Sequence, residues 1–127
     1  MNKSLNITIV DDNRNTSSII KENLSMEYSD NNIQVNIYDT INGINDKILI
    51  NSDFLLIDYN LGEDINGITL AEQYVGKGFK GVIMLITGEG GFIVKTKLKF
   101  SEIKDFYYIE KNADLLDKVI NIINDNL

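Results

Sequence analysis

The chain alternates between short runs of apolar, mostly β-branched residues and longer stretches in which apolar residues recur at helical spacing. The short runs are each about five residues long and predict five strands, over 6–10, 33–38, 54–58, 82–86 and 106–109. The third and fourth runs are apolar throughout, up to the aspartate that ends the third. This pattern is typical of strands buried on both faces of a parallel sheet.

The stretches between these runs predict helices. The clearest is the last, where an apolar stripe follows Asn112 and Asp114, either of which is placed to cap the helix. The stripe consists of Leu115, Leu116, Val119, Ile120 and Ile123. A similar face after the first strand consists of Ile19, Ile20, Leu24 and Tyr28. Weaker patterns predict helices over 41–49 and 65–75, and a fourth over 91–100 is expected because parallel neighbours need a crossover.

Five strands, each followed by a helix, predict an α/β protein with a doubly wound parallel sheet. The length of 127 residues fits one domain spanning 1–127, and no linker or internal repeat interrupts it. In sheets of this kind ligands bind at the carboxyl ends of the strands, where the strand order reverses. Candidate chemistry is therefore sought at those ends.

Composition excludes several classes of function. Nineteen acidic and twelve basic side chains give a net charge of −7, which argues against binding nucleic acid or anionic membranes. The absence of cysteine and histidine excludes disulfides, zinc–thiolate sites, thiol nucleophiles and Ser-His-Asp chemistry. No apolar run approaches the ~20 residues of a membrane span, and the first residues do not resemble a signal peptide. We expect a soluble cytoplasmic protein.

Reactive side chains stand at the ends of four predicted strands. Asp11 and Asp12 follow the first strand, Asp58 ends the third, Thr87 follows the fourth and Lys111 comes shortly after the fifth. Three neighbouring carboxylates repel one another unless a cation or a proton compensates, and Mg2+ prefers such oxygen ligands. A lysine and a hydroxyl beside them suit a phosphoryl group, and one carboxylate could become an acyl phosphate.

These residues lie in motifs that resemble the receiver domains of two-component response regulators over essentially the whole chain. The motifs are Ile9-Val10-Asp11-Asp12-Asn13, Leu56-Ile57-Asp58-Tyr59-Asn60-Leu61-Gly62 with Gly67, Leu85-Ile86-Thr87-Gly88, and Tyr107-Tyr108-Ile109-Glu110-Lys111. The resemblance implies a flavodoxin-like (βα)5 fold with strand order 2-1-3-4-5. It also implies a stand-alone receiver similar to the chemotaxis regulator.

The resemblance implies a role for each position that matches one of the family's motifs. Asp58 matches the phosphoacceptor, which takes a phosphoryl group from a histidine kinase or a phosphotransfer protein. Asp11, Asp12, Asp58 and the main-chain carbonyl of Asn60 match the ligands of Mg2+. The resemblance implies a phosphoacceptor rather than an enzyme, whose own chemistry is limited to self-phosphorylation and self-dephosphorylation.

Further positions match residues that bind the phosphoryl group and transmit its presence. Thr87 and Lys111 match the hydroxyl and the ammonium that contact it, and Thr87 and Tyr108 match the switch pair. Asn60 and Glu89 match positions that tune hydrolysis, and their combination favours a short-lived phosphorylated state. The resemblance places the output surface on the predicted fourth helix, fifth strand and last helix, where a downstream protein would bind.

Two positions depart from the family. Asn112 stands where the family usually has a proline preceded by a cis bond, which costs ~2.5–4 kcal/mol before any other residue. Either strain is tolerated, or the bond is trans and Lys111 is aimed differently. Gly62 stands where many members have proline, which should loosen the loop after Asp58.

Each residue taken alone also has a purely structural explanation. Asp11 and Asp12 could cap a helix, Asp58 could belong to a turn, Lys111 could be a surface charge, and Tyr108 could be a core aromatic.

Two other functions are therefore kept beside the receiver. One is a pseudo-receiver that acts as an interaction module without phosphorylation, because Lys111 is misaligned. The other is a small-ligand module or metal-dependent phosphohydrolase on the same fold, although Asp11 and Asp12 would repel a flavin phosphate. Since no effector follows the last helix, we expect output through protein contacts, unless this is one domain of a longer chain.

Overall fold

A single parallel sheet organises the computed structural model of the chain, which describes residues 4–62, 65–88, 103 and 106–127. The five strands are β1 (Ser4–Val10), β2 (Asn32–Tyr38), β3 (Phe54–Asp58), β4 (Val82–Thr87) and β5 (Phe106–Glu110). Their spatial order is β2-β1-β3-β4-β5. The predicted α/β fold class and strand order are therefore confirmed.

The register of the sheet brings the carboxyl ends of its central strands to one edge. Val10 at the end of β1 lies opposite Ile57 of β3, and Asp58 at the end of β3 lies opposite Ile86 of β4. Thr87 at the end of β4 lies opposite Glu110 of β5. The residues that follow these strands consequently emerge side by side.

Two apolar layers cover the sheet, one on each face. Leu55 and Ile57 of β3 belong to the layer that also contains Leu49 and Tyr74 from the helices on one face. Phe54 and Leu56 belong to the other layer, which the first and last helices cover. Every residue of β3 is buried, as its continuous apolar run predicts.

The helices of the described residues are α1 (Arg14–Glu27), α2 (Asp46–Ile50), α3 (Gly67–Gly76) and the last helix (Leu115–Asp125). None of them is both long and apolar enough to cross a membrane. The stripe of the last helix is confirmed, with Val119 and Ile123 fully buried. The predicted fourth helix, over 91–100, lies outside the described residues.

Two details of the helices differ from the prediction. In place of one helix over 41–49 the chain forms a short 3-10 turn, Ile41–Gly43, and α2 begins only after Asn45, whose Oδ1 accepts the N–H of Ile48 at 3.1 Å. In α1, Ile20 is buried but Ile19 is 52% exposed. Successive helical residues point about 100° apart, and in α1 this rotation turns Ile20 toward the sheet and Ile19 toward solvent.

A polar tie joins α2 to α3. The buried Tyr74 donates its hydroxyl to Asp46 Oδ1 at 2.7 Å, and Lys77 Nζ lies 3.1 Å from Asp46 Oδ2 and 5.0 Å from the centre of the Tyr74 ring. The hydrogen bond from Tyr74, followed by that from Lys77, lowers the pKa of Asp46. Burial, followed by the bond to Asp46, raises the pKa of Tyr74. This tie holds the short α2 against its neighbour.

We expect Tyr74→Phe to destabilise the protein by about 1 kcal/mol, because it removes the hydrogen bond that the hydroxyl of the buried Tyr74 donates to Asp46. Urea denaturation at pH 7 measures the free energy of unfolding. Tyr107→Phe is the control, since Tyr107 is 38% exposed and its change should stay within ~0.5 kcal/mol. Equal effects of the two substitutions would contradict a stabilising role for the Tyr74–Asp46 bond.

Candidate functional site

Three aspartates meet at the carboxyl edge of the sheet. Asp11, Asp12 and Asp58 each offer a carboxylate oxygen, and these oxygens all lie within 4.8 Å of one another. Asp11 is 2% exposed and Asp58 5% exposed, whereas Asp12 is open to solvent. The structure thus brings together the three carboxylates that the sequence places at the ends of two separate strands.

Main-chain hydrogen bonds fix Asp11 at the end of β1. Its N–H donates to Tyr38 O at 3.1 Å, and its Oδ1 accepts the N–H of Asn13 at 2.9 Å. Asn13 is the residue that caps α1, because its own side chain accepts the N–H groups of Asn15 and Thr16. Neither Asp11 nor Asp12 is the N-cap of α1, so helix capping does not account for them.

Asp58 is held by the strand that it ends and by the loop that follows. The N–H of Tyr59 donates to Ile86 O on β4, and the N–H of Gly67 donates to Tyr59 O, both at 2.8 Å. A Cβ at Gly67 would lie only 2.4 Å from the main-chain oxygen of Asp58 and 2.6 Å from Ile57 Cγ2. The start of α3 therefore packs directly against the backbone of Asp58.

Lys111 reaches two of the three carboxylates. Its Nζ lies 3.3 Å from Asp11 Oδ2 and 3.3 Å from Asp58 Oδ2, and its side chain is 23% exposed. Its N–H donates to Thr87 O at 2.8 Å, which aligns it with the end of β4. The peptide bond between Lys111 and Asn112 is trans. The expectation that a trans bond would aim Lys111 elsewhere is therefore wrong.

The charges of the cluster shift the pKa values of its members. Burial, followed by the negative charge of Asp11, raises the pKa of Asp58 to about 6, although Lys111 opposes the rise. Burial lowers the pKa of Lys111, but the charges of Asp11 and Asp58 more than offset that effect, so its pKa lies above the ordinary value. A proton on Asp58 is one way to relieve the repulsion between carboxylates.

The cluster has the ligands and the unbalanced charge that suit a divalent cation. Three carboxylates facing one ammonium leave an excess of two negative charges when all are ionised. Among the described residues, Asp11 Oδ2 is buried and forms an ion pair with Lys111 but no hydrogen bond. An oxygen-only ligand set of this kind fits Mg2+ better than a softer metal.

Thr87 and Tyr108 lie on the same face of neighbouring strands. Thr87 ends β4 and is fully buried. Tyr108 of β5 lies opposite Leu85, which precedes Thr87 by two residues on β4. Tyr108 is partly buried against the apolar layer on that face. Burial, followed by the charge of Glu110, raises the pKa of its hydroxyl. The two predicted switch residues are therefore diagonal neighbours across the strands, and Tyr108 also contributes to the core.

The loop after Asp58 contains Gly62, which was predicted to loosen the loop but adopts a defined backbone conformation. Gly62 has φ +72°, and a Cβ there would lie 3.3 Å from Asp12 Oδ2. Proline, with φ fixed near −65°, cannot adopt this conformation. Gly62 is thus required by a left-handed turn beside Asp12, and no periodicity in the sequence could reveal that turn.

The remaining predicted site positions are Asn60 and Glu89. Asn60 is exposed and pairs with Asn66 in an isolated antiparallel bridge, close to the start of α3. Glu89 lies outside the described residues. The roles assigned to both in hydrolysis stay predictions.

Comparison with known proteins identifies the fold. No protein-family model and no curated protein matches the sequence. Two of the similar solved structures are response regulator receiver domains described as CheY-like. The one from Methanospirillum hungatei JF-1 is 22% identical with a TM-score of 0.68, over 98% of this chain and 97% of that chain. The one from Methylobacillus flagellatus is 20% identical with a TM-score of 0.75, over 98% and 100%.

A third similar structure is a response regulator from Burkholderia pseudomallei that contains a phosphorylated aspartic acid, a calcium ion and citrate. It is 18% identical with a TM-score of 0.69, over 91% of this chain and 64% of that chain. These similarities confirm that the chain has the flavodoxin-like fold of CheY-like receiver domains.

Two glycines of α3 provide a matched test of the packing behind Asp58. Gly67→Ala should destabilise the protein by about 1–3 kcal/mol, because its Cβ would overlap the backbone of Asp58. Gly76→Ala should instead stabilise by ~0.5–1 kcal/mol, since nothing lies within 4 Å of its Cβ position. Chemical denaturation measures both. A stabilising Gly67→Ala would contradict the close approach.

The raised pKa of Asp58 predicts a pH dependence of stability. In the folded state the carboxyl of Asp58 keeps its proton up to pH about 6, whereas in the unfolded state it loses the proton near ~3.9. The wild type therefore loses stability as the pH rises from the unfolded-state pKa to the folded-state pKa. In EDTA, Asp58→Asn should therefore gain about 1 kcal/mol relative to wild type between pH 5 and pH 8. A constant difference between the two proteins would show that Asp58 ionises normally.

Proposed function

We propose that this protein is a response regulator receiver that accepts a phosphoryl group on Asp58 in a Mg2+-dependent reaction. One observation carries the proposal: Asp58, Asp11 and Asp12 converge within 4.8 Å, with Lys111 Nζ 3.3 Å from two of them, at the carboxyl edge of a receiver-like sheet. A turn residue or a surface charge could explain one of these residues taken alone, but not their convergence.

Asp58 is the nucleophile of the proposed reaction. One of its carboxylate oxygens forms a bond to phosphorus while the bond between phosphorus and the donor's leaving group breaks, and the product is an acyl phosphate. The chain has no histidine, so the phosphohistidine donor belongs to a partner kinase or phosphotransfer protein. Water attack on the phosphorus breaks its bond to the Asp58 oxygen, which releases inorganic phosphate and returns the carboxylate; the proposal includes no further enzymatic activity.

The residues around Asp58 divide the remaining tasks. Asp11 and Asp12, with Asp58 and the carbonyl of Asn60, would hold Mg2+. When bound, Mg2+ neutralises charge on the phosphoryl oxygens and lets the anionic group approach the carboxylates. Lys111 supplies a second positive charge, since it already lies beside Asp58.

The proposed output is a two-state change that follows the new charge on Asp58. The hydroxyl of Thr87 binds the phosphoryl group, and Tyr108, its diagonal neighbour, changes rotamer with it. A downstream protein then binds the face made by the predicted fourth helix, β5 and the last helix.

An open groove beside Lys111 suits the approach of a donor protein. It runs between α1 and the last helix and includes Ile19, whose side chain is exposed although its neighbour Ile20 is buried. Its lining is mostly apolar and includes Thr16, Ala113, Leu115 and Leu116. A donor seated there would bring its phosphoryl group to the edge where Lys111 and Asp58 lie.

The position of Lys111 removes the reason for preferring the pseudo-receiver hypothesis. It rested on a misaligned Lys111, and Lys111 is 3.3 Å from Asp58 Oδ2. Binding of a protein partner without phosphorylation is therefore an outcome of the test below rather than a second proposal.

We expect wild-type protein incubated with acetyl phosphate and Mg2+ to gain the mass of one phosphoryl group, and Asp58→Asn to gain none, because the substitution removes the nucleophilic oxygen. Intact-mass spectrometry measures both. Asp53→Asn is a matched control: Asp53 is an exposed aspartate before β3, and its substitution leaves the cluster intact.

Two results would overturn the proposal. Phosphorylation of Asp58→Asn at the wild-type rate would mean that another residue is the acceptor. No phosphorylation of folded wild type, with Mg2+ binding retained by calorimetry, would favour the pseudo-receiver. Omission of Mg2+ should also abolish the gain in wild type.

A further inference from the structure

The turn between Lys111 and the last helix is built around the side chain of Asn112. Asn112 Oδ1 accepts the N–H of Asp114 at 2.9 Å, its main-chain oxygen accepts the N–H of Leu115 at 3.1 Å, and its own N–H donates to Glu110 O at 3.0 Å. Asp114, the residue before the helix, makes no side-chain cap hydrogen bond. The only described side-chain bond that closes this turn comes from Asn112.

This turn fixes the chain immediately after Lys111. On the preceding side, the N–H of Lys111 is held by Thr87 O at 2.8 Å. On the following side, the side-chain bond of Asn112 sets the direction in which the backbone leaves Lys111. The backbone from which Lys111 extends to Asp11 and Asp58 is therefore anchored on both sides.

We propose that Asn112 is a positioning residue that aims the Lys111 ammonium at Asp58 through its side-chain turn. The proposal rests on the function proposed above. A residue other than proline leaves φ at position 112 unrestricted by a ring, and an Asn side chain that bonds the N–H two residues ahead restores a defined turn.

The alternative explanation is that Asn112 only helps to start the last helix. Both explanations predict some loss of stability when Asn112 loses its acceptor atom. Only positioning predicts that the effect on phosphorylation passes through Lys111. A double-mutant cycle between Asn112 and Lys111 distinguishes the two explanations.

The experiment measures the rate of phosphorylation of wild type, Asn112→Ala, Lys111→Ala and the double variant by acetyl phosphate and Mg2+. We expect Asn112→Ala to be about tenfold slower and Lys111→Ala ~100-fold slower, since misplacing a positive charge costs less than removing it. The double variant should match Lys111→Ala within about twofold. Rates that multiply to a ~1,000-fold loss would show that Asn112 acts independently of Lys111, and would overturn the proposal.

A conservative variant and a matched control complete the kinetic test. Asn112→Asp keeps the acceptor oxygen and should recover most of the wild-type rate. Asn45→Ala removes the same kind of bond, in which Asn45 Oδ1 accepts the N–H of Ile48 at 3.1 Å. Asn45 lies at the start of α2, on the opposite face of the sheet from the last helix. This substitution should leave the rate unchanged. A rate for Asn112→Asp no better than for Asn112→Ala would contradict the role of the side-chain bond.

Crystal structures of wild type and Asn112→Ala test the proposal without phosphorylation. We expect the distance from Lys111 Nζ to Asp58 Oδ2, 3.3 Å in the wild type, to exceed 4.0 Å in the variant. An unchanged distance would overturn the positioning role. A changed distance in a protein that accepts no phosphate would uphold that role and reject the proposed function.

Discussion

Repulsion among three carboxylates is the constraint on which the rest of the site depends. Asp11 and Asp58 are buried within reach of each other, and the ammonium of Lys111 offsets only part of their charge. Such an arrangement survives only because the buried strands that carry it are held by two apolar layers. The excess negative charge suits a divalent cation, which is the ligand proposed for this site.

Much of this arrangement follows from the sequence for a simple geometric reason. Strands that are apolar on both faces must be covered on both sides, which is typical of parallel sheets, and parallel strands place their carboxyl ends at one edge. The residue that follows each apolar run is therefore placed by the run itself. This is why Asp11, Asp58, Thr87 and Lys111 could be grouped before their distances were known.

Other features depend on contacts that local patterns do not encode. Whether Ile19 or Ile20 faces the sheet depends on the rotation of α1, which Asn13 sets by capping its start. The delayed start of α2 likewise follows from a side-chain bond of Asn45. A single asparagine decides each boundary, and the chain contains many asparagines whose local preferences are alike.

Two glycines near Asp58 make backbone contacts that sequence patterns also fail to reveal. Gly67 lets α3 approach the main-chain oxygen of Asp58, and Gly62 adopts a left-handed turn against Asp12. In the sequence each is only a glycine in a loop, because the close approach becomes visible once the neighbouring strand is in place. The predicted looseness of Gly62 was inferred from the absence of proline, whereas its φ of +72° shows a defined conformation.

The position of the Lys111 ammonium depends both on the turn that follows Lys111 and on the charges that the ammonium contacts. Proline would fix the following turn by covalent restriction of φ, whereas Asn112 does so with hydrogen bonds, each worth about 0.5–1.5 kcal/mol. Bonds of that size set a preferred direction without locking it. The attraction of Asp11 and Asp58 supplies the remainder, so the position of Lys111 depends on the charge of the residues that it contacts. In the proposed reaction a change of charge on Asp58 would therefore act on Lys111 directly, and the hydrogen-bonded turn joins Lys111 to the start of the last helix.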